Sequence, residues 1–244
     1  MKNIVVPVKN ISRLLKASST LLSRTPGTPG MGLIYGRSGY GKTTATAWFV
    51  NQCNGVYIRA FATWTATSML KNILKELSLD ATKSRCADMV EQIVDNLKLT
   101  GRPLFIDEFD YLVENKKMTE TLRDIHDMSS VPIILIGMEG VQRKVQVREQ
   151  FVNRIAQWVE FKPADYTDAC ELCKQLCEVD VKDDLLCKLY EASSGVIRLI
   201  VIGLDAIERK AKVMGKKSID SVGWGKADFF LSDSPSKKKK HGGI

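Results

Sequence analysis

The sequence predicts an α/β protein in which five parallel strands are covered by helices on both faces, followed by a small all-helical domain. Three observations predict it. Short apolar runs at Gly32–Tyr35, Val56–Ala60, Pro103–Ile106, Pro132–Ile136 and Trp158–Phe161 alternate with helical patterns. Strands buried on both faces read as such runs, and alternation with helices is the mark of a parallel sheet. A glycine-rich turn joins the first run to the first helix, and beyond Lys162 the strands stop while helical patterns continue.

Taken in order, the chain opens with an extended Ile4-Val5-Val6-Pro7, a helix over about Ile11 to Ser23, and the turn-rich Thr25-Pro26-Gly27-Thr28-Pro29-Gly30. Residues 1–30 are therefore expected to be a lead-in outside the core. The sheet domain spans 31–163, with helices over Lys42–Gln52, Thr67–Leu77, Ser84–Leu99, Met118–Met128 and Glu139–Gln150. The helical domain, 164–215, has helices over Thr167–Cys177, Lys182–Ala192 and Val196–Val213. Residues 216–244, with Ser232-Asp233-Ser234-Pro235-Ser236 and the run Lys237 to Lys240, are expected to be a basic, mobile tail.

Of the 244 residues 44% are hydrophobic, enough for a globular core without external staples. No stretch approaches the roughly 20 apolar residues that span a bilayer, and no start resembles a secretory leader, so a cytoplasmic protein without membrane partners is expected. Among the six cysteines, Cys170 and Cys173 have CxxC spacing, but with Cys177 they also form an i, i+3, i+7 stripe. No neighbouring His and no second CxxC completes four ligands, so a buried stripe is the better reading than zinc. The formal charge of +8 suits a polyanionic partner, nucleic acid above all. Seven lysines against three aspartates from Lys216 onward supply half of that excess.

The glycine-rich turn reads Gly36-Arg37-Ser38-Gly39-Tyr40-Gly41-Lys42-Thr43, followed by Thr44. Gly-x4-Gly-Lys-Thr between a strand and a helix is a phosphate loop. Glycines let the backbone wrap an oxyanion, successive N–H groups and the helix N-terminus favour its charge, Lys42 reaches the outer phosphates, and the Thr43 hydroxyl can ligate Mg²⁺. About 65 residues on, Leu104-Phe105-Ile106-Asp107-Glu108 is an apolar strand ending in two acids. Asp107 can hold Mg²⁺ through its hydration shell and Glu108 can polarise an attacking water, so ATP hydrolysis is the expected reaction.

These motifs resemble the AAA+ ATPases, over roughly residues 30 to 215. The resemblance implies ring or filament assembly and an arginine that reaches a neighbour's nucleotide. Arg154, in Phe151-Val152-Asn153-Arg154-Ile155, is the candidate, with Arg148 and Arg143 as rivals. It also implies a second sensor in the helical domain, for which Ser194-Gly195-Val196-Ile197-Arg198 offers Arg198. The fourth strand departs from the family, ending Ile136-Gly137-Met138-Glu139 where Asn, Thr or Ser is usual, and Glu139 stands in only weakly as a first sensor.

Within that family the layout of residues 32 to 44, Ile-Asp-Glu-Phe-Asp and Ile-Gly-Met-Glu-Gly is most similar to the transposition ATPases typified by phage Mu B. That similarity implies assembly on double-stranded DNA without strong sequence preference and delivery of that DNA to a cognate transposase, in a bacterial host's cytoplasm. With about 30 residues ahead of the core, no counterpart of the helix-turn-helix domain that precedes it in Mu B is expected. DNA contacts would then fall to Lys83 and Arg85, and to Lys116 and Lys117, which a helical or ring homo-oligomer repeats along the backbone. A replicative helicase loader or origin-recognition-type ATPase shares the same core motifs, and a slowly hydrolysing nucleotide switch is a third reading.

Overall fold

The computed structural model describes residues 1–25, 27–82 and 85–230, which form two compact units: Pro7–Lys162, and Met1–Val6 with the residues from Pro163 onward. In the first unit β1 (Met31–Gly36), β2 (Val56–Arg59), β3 (Leu104–Asp107), β4 (Ile133–Met138) and β5 (Ile155–Glu160) form one parallel sheet, in the order β2-β3-β4-β1-β5. Leu33 pairs in register with Leu135 on one side and Trp158 on the other. The interior strands are apolar on both faces, and Leu104, Phe105 and Ile106 are fully buried. Polar side chains enter at the edges, as Tyr57 and Arg59 in β2 and Gln157 and Glu160 in β5, where one flank of the strand is unpaired.

Helices α1 (Lys9–Leu22), α2 (Lys42–Gln52), α3 (Ala66–Glu76), α4 (Cys86–Thr100), α5 (Lys116–Ser129), α6 (Val141–Gln146) and α7 (Glu149–Val152) cover the sheet. Their starts follow local chemistry: Thr65 Oγ1 accepts from Ser68 N at the head of α3, and Asn115 Oδ1 from Met118 N at the head of α5. α3 buries Met69, Leu70, Ile73 and Leu74, the apolar stripe that its sequence spacing demands.

Four expectations need correction. The lead-in is part of the core: α1 lies against β1, β5 and α2 and buries Ile11, Leu14, Ala17 and Leu21 at helical spacing. Its polar residues hid that stripe in the sequence. Met1–Val6 belongs instead with the second unit, where Lys2 N donates to Leu176 O. The helix expected over Glu139–Gln150 begins only after Gly140 and breaks at Val147–Arg148 into α6 and α7. Phe151 is fully buried and stacks on Phe109 at 5.9 Å, a tertiary pull that no local pattern records. Finally, the segment after 215 is ordered through its described part. There β7 (Ser218–Ile219) pairs in parallel with β6 (Asp180–Val181), and α11 (Ser221–Trp224) is capped by Asp220. The lysine run from Lys237 to Lys240 lies outside the described residues.

The second unit is otherwise helical, with α8 (Tyr166–Leu176), α9 (Asp183–Ser193) and α10 (Ile197–Val213). At its centre Glu208, 2% exposed, accepts from Lys212 Nζ at 2.8 Å, Glu178 N at 2.9 Å and the Met1 amino group at 2.5 Å. Burial alone would raise this carboxyl, but those donors overcome it and hold it down to about 2. Cys173 and Cys177 are buried one helical turn apart, and Cys170 is half-buried. Among the described residues no helix is long and apolar enough to cross a membrane.

Candidate functional site

The phosphate loop joins β1 to α2 at the carboxyl end of the sheet. Gly36 has φ +150°, and a Cβ there would lie 2.5 Å from Phe161 O, so only glycine fits beneath the loop. Gly41, at φ +84°, turns the chain into α2 in a left-handed conformation. α1 braces this loop. Buried Asn10 donates to Tyr40 O at 3.4 Å and Lys162 O at 2.8 Å, while its own oxygen accepts from Lys162 N at 3.1 Å. Arg37, Ser38, Thr43 and Thr44 are exposed, Gly39 is half-buried and Tyr40 is buried.

Lys42 is 8% exposed, and its ammonium folds back on the loop to donate to Gly36 O at 2.6 Å and Arg37 O at 2.9 Å. Carbonyls carry partial charge, so phosphate oxygens in their place make stronger, charge-assisted bonds. Thr43 Oγ1 donates to Asp107 Oδ2 at 3.0 Å. A hydroxyl has one proton and two lone pairs, so that bond leaves Thr43 able to ligate a cation. The glycine cradle, the ammonium and this hydroxyl–carboxylate pair together fit a nucleotide with magnesium.

Asp107, 3% exposed, ends β3 with both oxygens engaged: Oδ1 accepts from Glu108 N at 2.8 Å, and Oδ2 from Thr43 and from Tyr57 Oη at 2.8 Å. Burial first, then the bond to Asp107, pushes the Tyr57 phenol up, so it remains a donor. Glu108 takes a left-handed backbone, φ +56° and ψ +40°, which costs a non-glycine residue about 1 kcal/mol. Its carboxylate meets Arg59 at 3.0 Å. At the end of β4, Glu139 pairs with Arg37 at 2.7 Å, and Asp110 Oδ2 accepts from Met138 N at 2.7 Å. Glu139, offered as a first sensor, is thus an exposed partner of the loop's own arginine.

Arg154 stands at the other end of the sheet. Its carbonyl accepts from Met31 N, at the start of β1, and its guanidinium grips Asp127 through three bonds of 2.8 to 3.2 Å. That pairing holds the Asp127 carboxyl below its usual range. Six strand residues, about 20 Å, separate Arg154 from its own phosphate loop. Arg148 reaches back to Glu114 O at 2.7 Å, and Arg143 and Arg148 line a cavity of about 400 Å³ with Val113, Glu114, Lys144 and Val147. Arg198 is the second residue of α10 in the other unit.

Of the four cations predicted to meet DNA, Lys83 lies outside the described residues. Lys116 and Lys117 are exposed at the start of α5, which follows the carboxyl end of β3 after eight intervening residues that include the turn Phe109–Tyr111. Arg85, also exposed, precedes α4, whose start is tied to that of α3 by Thr67 Oγ1 and Cys86 Sγ at 3.3 Å. Arg85, Lys116 and Lys117 and the phosphate loop therefore share one end of the sheet.

Three contributors escaped the sequence reading: Asn10, Tyr57 and Arg59. A signal for the last two existed, because Val56-Tyr57-Ile58-Arg59 alternates apolar with polar while a strand buried on both faces should not.

Comparison with known proteins gives a family and a fold. The profile of the AAA domain family matches residues 24–145, half of the chain. No curated protein sequence matches significantly. Among solved structures, the Aeropyrum pernix ORC2 protein in its ADPNP and ADP complexes superposes with a TM-score of 0.73 at 18% identity, over 91% of this chain and 68% of that one. The Aeropyrum pernix ORC1 protein in complex with DNA gives 0.62 at 15% identity, over 89% and 63%. A RuvB mutant of Thermotoga maritima gives 0.61 at 17%, over 90% and 68%. This chain spans about two thirds of the length of each, and none of these likenesses supports the resemblance to transposition ATPases in particular.

Proposed function

Because the chain belongs to the AAA domain family and is an ATPase, we propose that it assembles on double-stranded DNA when ATP is bound and releases it after hydrolysis. The observation that supports this reading is that the phosphate loop and Arg154 stand at opposite ends of one sheet. The phosphate loop, Asp107 and Glu108 stand at the carboxyl end, and Arg154 stands at the other, about 20 Å away along β1. An arginine so placed completes a nucleotide site only in another copy, and turnover then depends on assembly.

The chain's own residues divide the chemistry. The loop amides and Lys42 bind and orient the phosphates, and Thr43, steadied by Asp107, presents an oxygen to the cation. Magnesium, when bound, neutralises charge between the outer phosphates. Glu108 accepts a proton from the water as its oxygen bonds to the γ-phosphorus and the bridge to the β-phosphate breaks. The guanidinium of a neighbouring copy's Arg154 meets the charge that spreads over the γ-phosphoryl oxygens. Lys116, Lys117 and Arg85, on one end of the sheet, supply the DNA phosphates with cations that assembly multiplies.

Two biological settings fit. Delivery of target DNA to a transposase is the setting implied by the resemblance of residues 32 to 44, Ile-Asp-Glu-Phe-Asp and Ile-Gly-Met-Glu-Gly to the transposition ATPases. An origin-recognition role is favoured by the likeness in fold to the Aeropyrum pernix proteins, one of them in complex with DNA. Copurification with a transposase or with a replicative helicase separates them. The shared claim is tested by electron microscopy and turnover assays with ATP and duplex DNA. Rings or filaments with DNA-stimulated hydrolysis are expected, and a monomer indifferent to DNA would remove the proposal.

A further inference from the structure

The edge strand β2 has no part in the phosphate loop, yet it sends a phenol to the acid that ends β3. Tyr57 Oη donates to Asp107 Oδ2 at 2.8 Å, on the same oxygen that accepts from Thr43 at 3.0 Å. Asp107 Oδ1 is meanwhile fixed by the neighbouring peptide N–H of Glu108 at 2.8 Å. The bond from Glu108 is local and sets only which way one oxygen faces. Thr43 has a second task in the ATPase reading, since the lone pairs of its hydroxyl would ligate the cation. Of the three donors, Tyr57 is therefore the one whose bond to Asp107 involves neither the adjacent peptide nor a cation ligand.

Parallel pairing makes the reach possible: Tyr57 is in register with Phe105, two residues before Asp107. Side chains on one face of a strand recur every second residue, so a ring at 57 lies on the face that Asp107 shares with Phe105. Tyr57 is half-buried beside a nearly buried carboxylate, where a lost donor is not fully replaced by water.

We propose that Tyr57 is a positioning residue for magnesium. By holding Asp107 Oδ2 it keeps the carboxylate aligned on Thr43 and on the hydration shell of the cation. This rests on the ATPase reading of the same site. It makes β2 a support of the metal site rather than a passive edge, and it separates affinity for the cation from affinity for the nucleotide. Groups that orient a metal's direct ligands change metal affinity by about 10–100-fold when removed, and Tyr57, acting one contact further out through Asp107, is expected at the low end of that range.

The test is Tyr57→Phe, which keeps the ring and removes one oxygen. Calorimetry with ATP in excess EDTA should give the same nucleotide affinity for parent and variant. The half-saturating Mn²⁺ concentration, read by electron paramagnetic resonance on the protein with bound ATP, should rise about tenfold. The magnesium concentration for half-maximal turnover should rise by a similar factor. An unchanged Mn²⁺ half-saturation overturns the proposal, even if the variant melts earlier, because a purely structural tyrosine would move the melting point alone. Equal weakening with and without metal overturns it too. Failure of the parent itself to bind ATP would strike the ATPase reading, which distinguishes the two.

Discussion

Arg59 places a guanidinium 3.0 Å from the carboxylate of Glu108, the group proposed to take a proton from water. While paired, Glu108 has one oxygen occupied by the guanidinium and withheld from a water, so on the proposed mechanism the pair is expected to restrain hydrolysis. The pair is partly exposed, 57% for Arg59 and 26% for Glu108, and such pairs are worth about 0.2–1 kcal/mol. Arg59→Ala should therefore raise basal turnover a few-fold without changing ATP affinity; turnover equal to the parent's would show that the pair does not restrain the base. Glu108→Gln should keep ATP binding while turnover falls by about 10²–10⁴-fold, the usual worth of a positioned base. Parent-like turnover in that variant would assign the water to another group. At this scale the sequence was legible where chemistry is local: Gly36, Lys42, Thr43, Asp107 and Glu108 announce themselves by spacing. Asn10, Tyr57 and Arg59 act through hydrogen bonds that span 30 to 152, 50 and 49 residues of chain, and such bonds leave no local pattern.

Helix α1 is the element whose role changed most between pattern and structure. Leu14 is fully buried at the centre of its stripe, and Leu14→Ala should cost about 2–5 kcal/mol in denaturant unfolding. A loss under about 1 kcal/mol would return α1 to the status of an ornament. Its stripe was missed because lysines, serines and an asparagine outnumber the apolar residues that carry it, and buried Asn10 and Ser18 count as surface in any hydropathy reading. The five strands and the phosphate-loop helix α2 were legible because continuous apolar runs and the Gly-Lys-Thr start are local facts. The pairing of β6 with β7 was not, since two-residue strands have no period to detect. In the second unit, α10 carries Glu208, whose folded carboxyl near 2 lies below its ordinary 4.5. A depressed carboxyl stabilises above the unfolded value and loses that contribution as the pH falls from about 4.5 through about 2. The stake is on the order of 3 kcal/mol, and Glu208→Gln should flatten the acid limb of the unit's stability against pH. Identical acid limbs would refute this.

For the whole molecule, the account requires neighbours. Arg154→Ala should lower turnover of the assembled protein by up to about 10³-fold while leaving ATP binding intact. Mixing it with Lys42→Ala should recover part of the activity, because one subunit then offers an intact loop and the next an intact arginine. No recovery from the mixture would place Arg154 outside the catalytic contact and leave its grip on Asp127 as its role. DNA affinity should fall linearly with salt on logarithmic axes, and removing Lys116 and Lys117 should flatten that slope by about 0.9 for each DNA phosphate that is no longer neutralised. An unchanged slope would move the DNA to another face. All of this depends on the loop between Gly36 and Thr43 clasping phosphates. Titration calorimetry of ATP with magnesium, run on the parent and on Lys42→Ala, examines that directly. The account predicts one nucleotide per chain and a loss of roughly 10- to 150-fold in the variant, the worth of one charged hydrogen-bonding group. A folded parent that releases no heat, or a variant that binds as tightly as the parent, would contradict it.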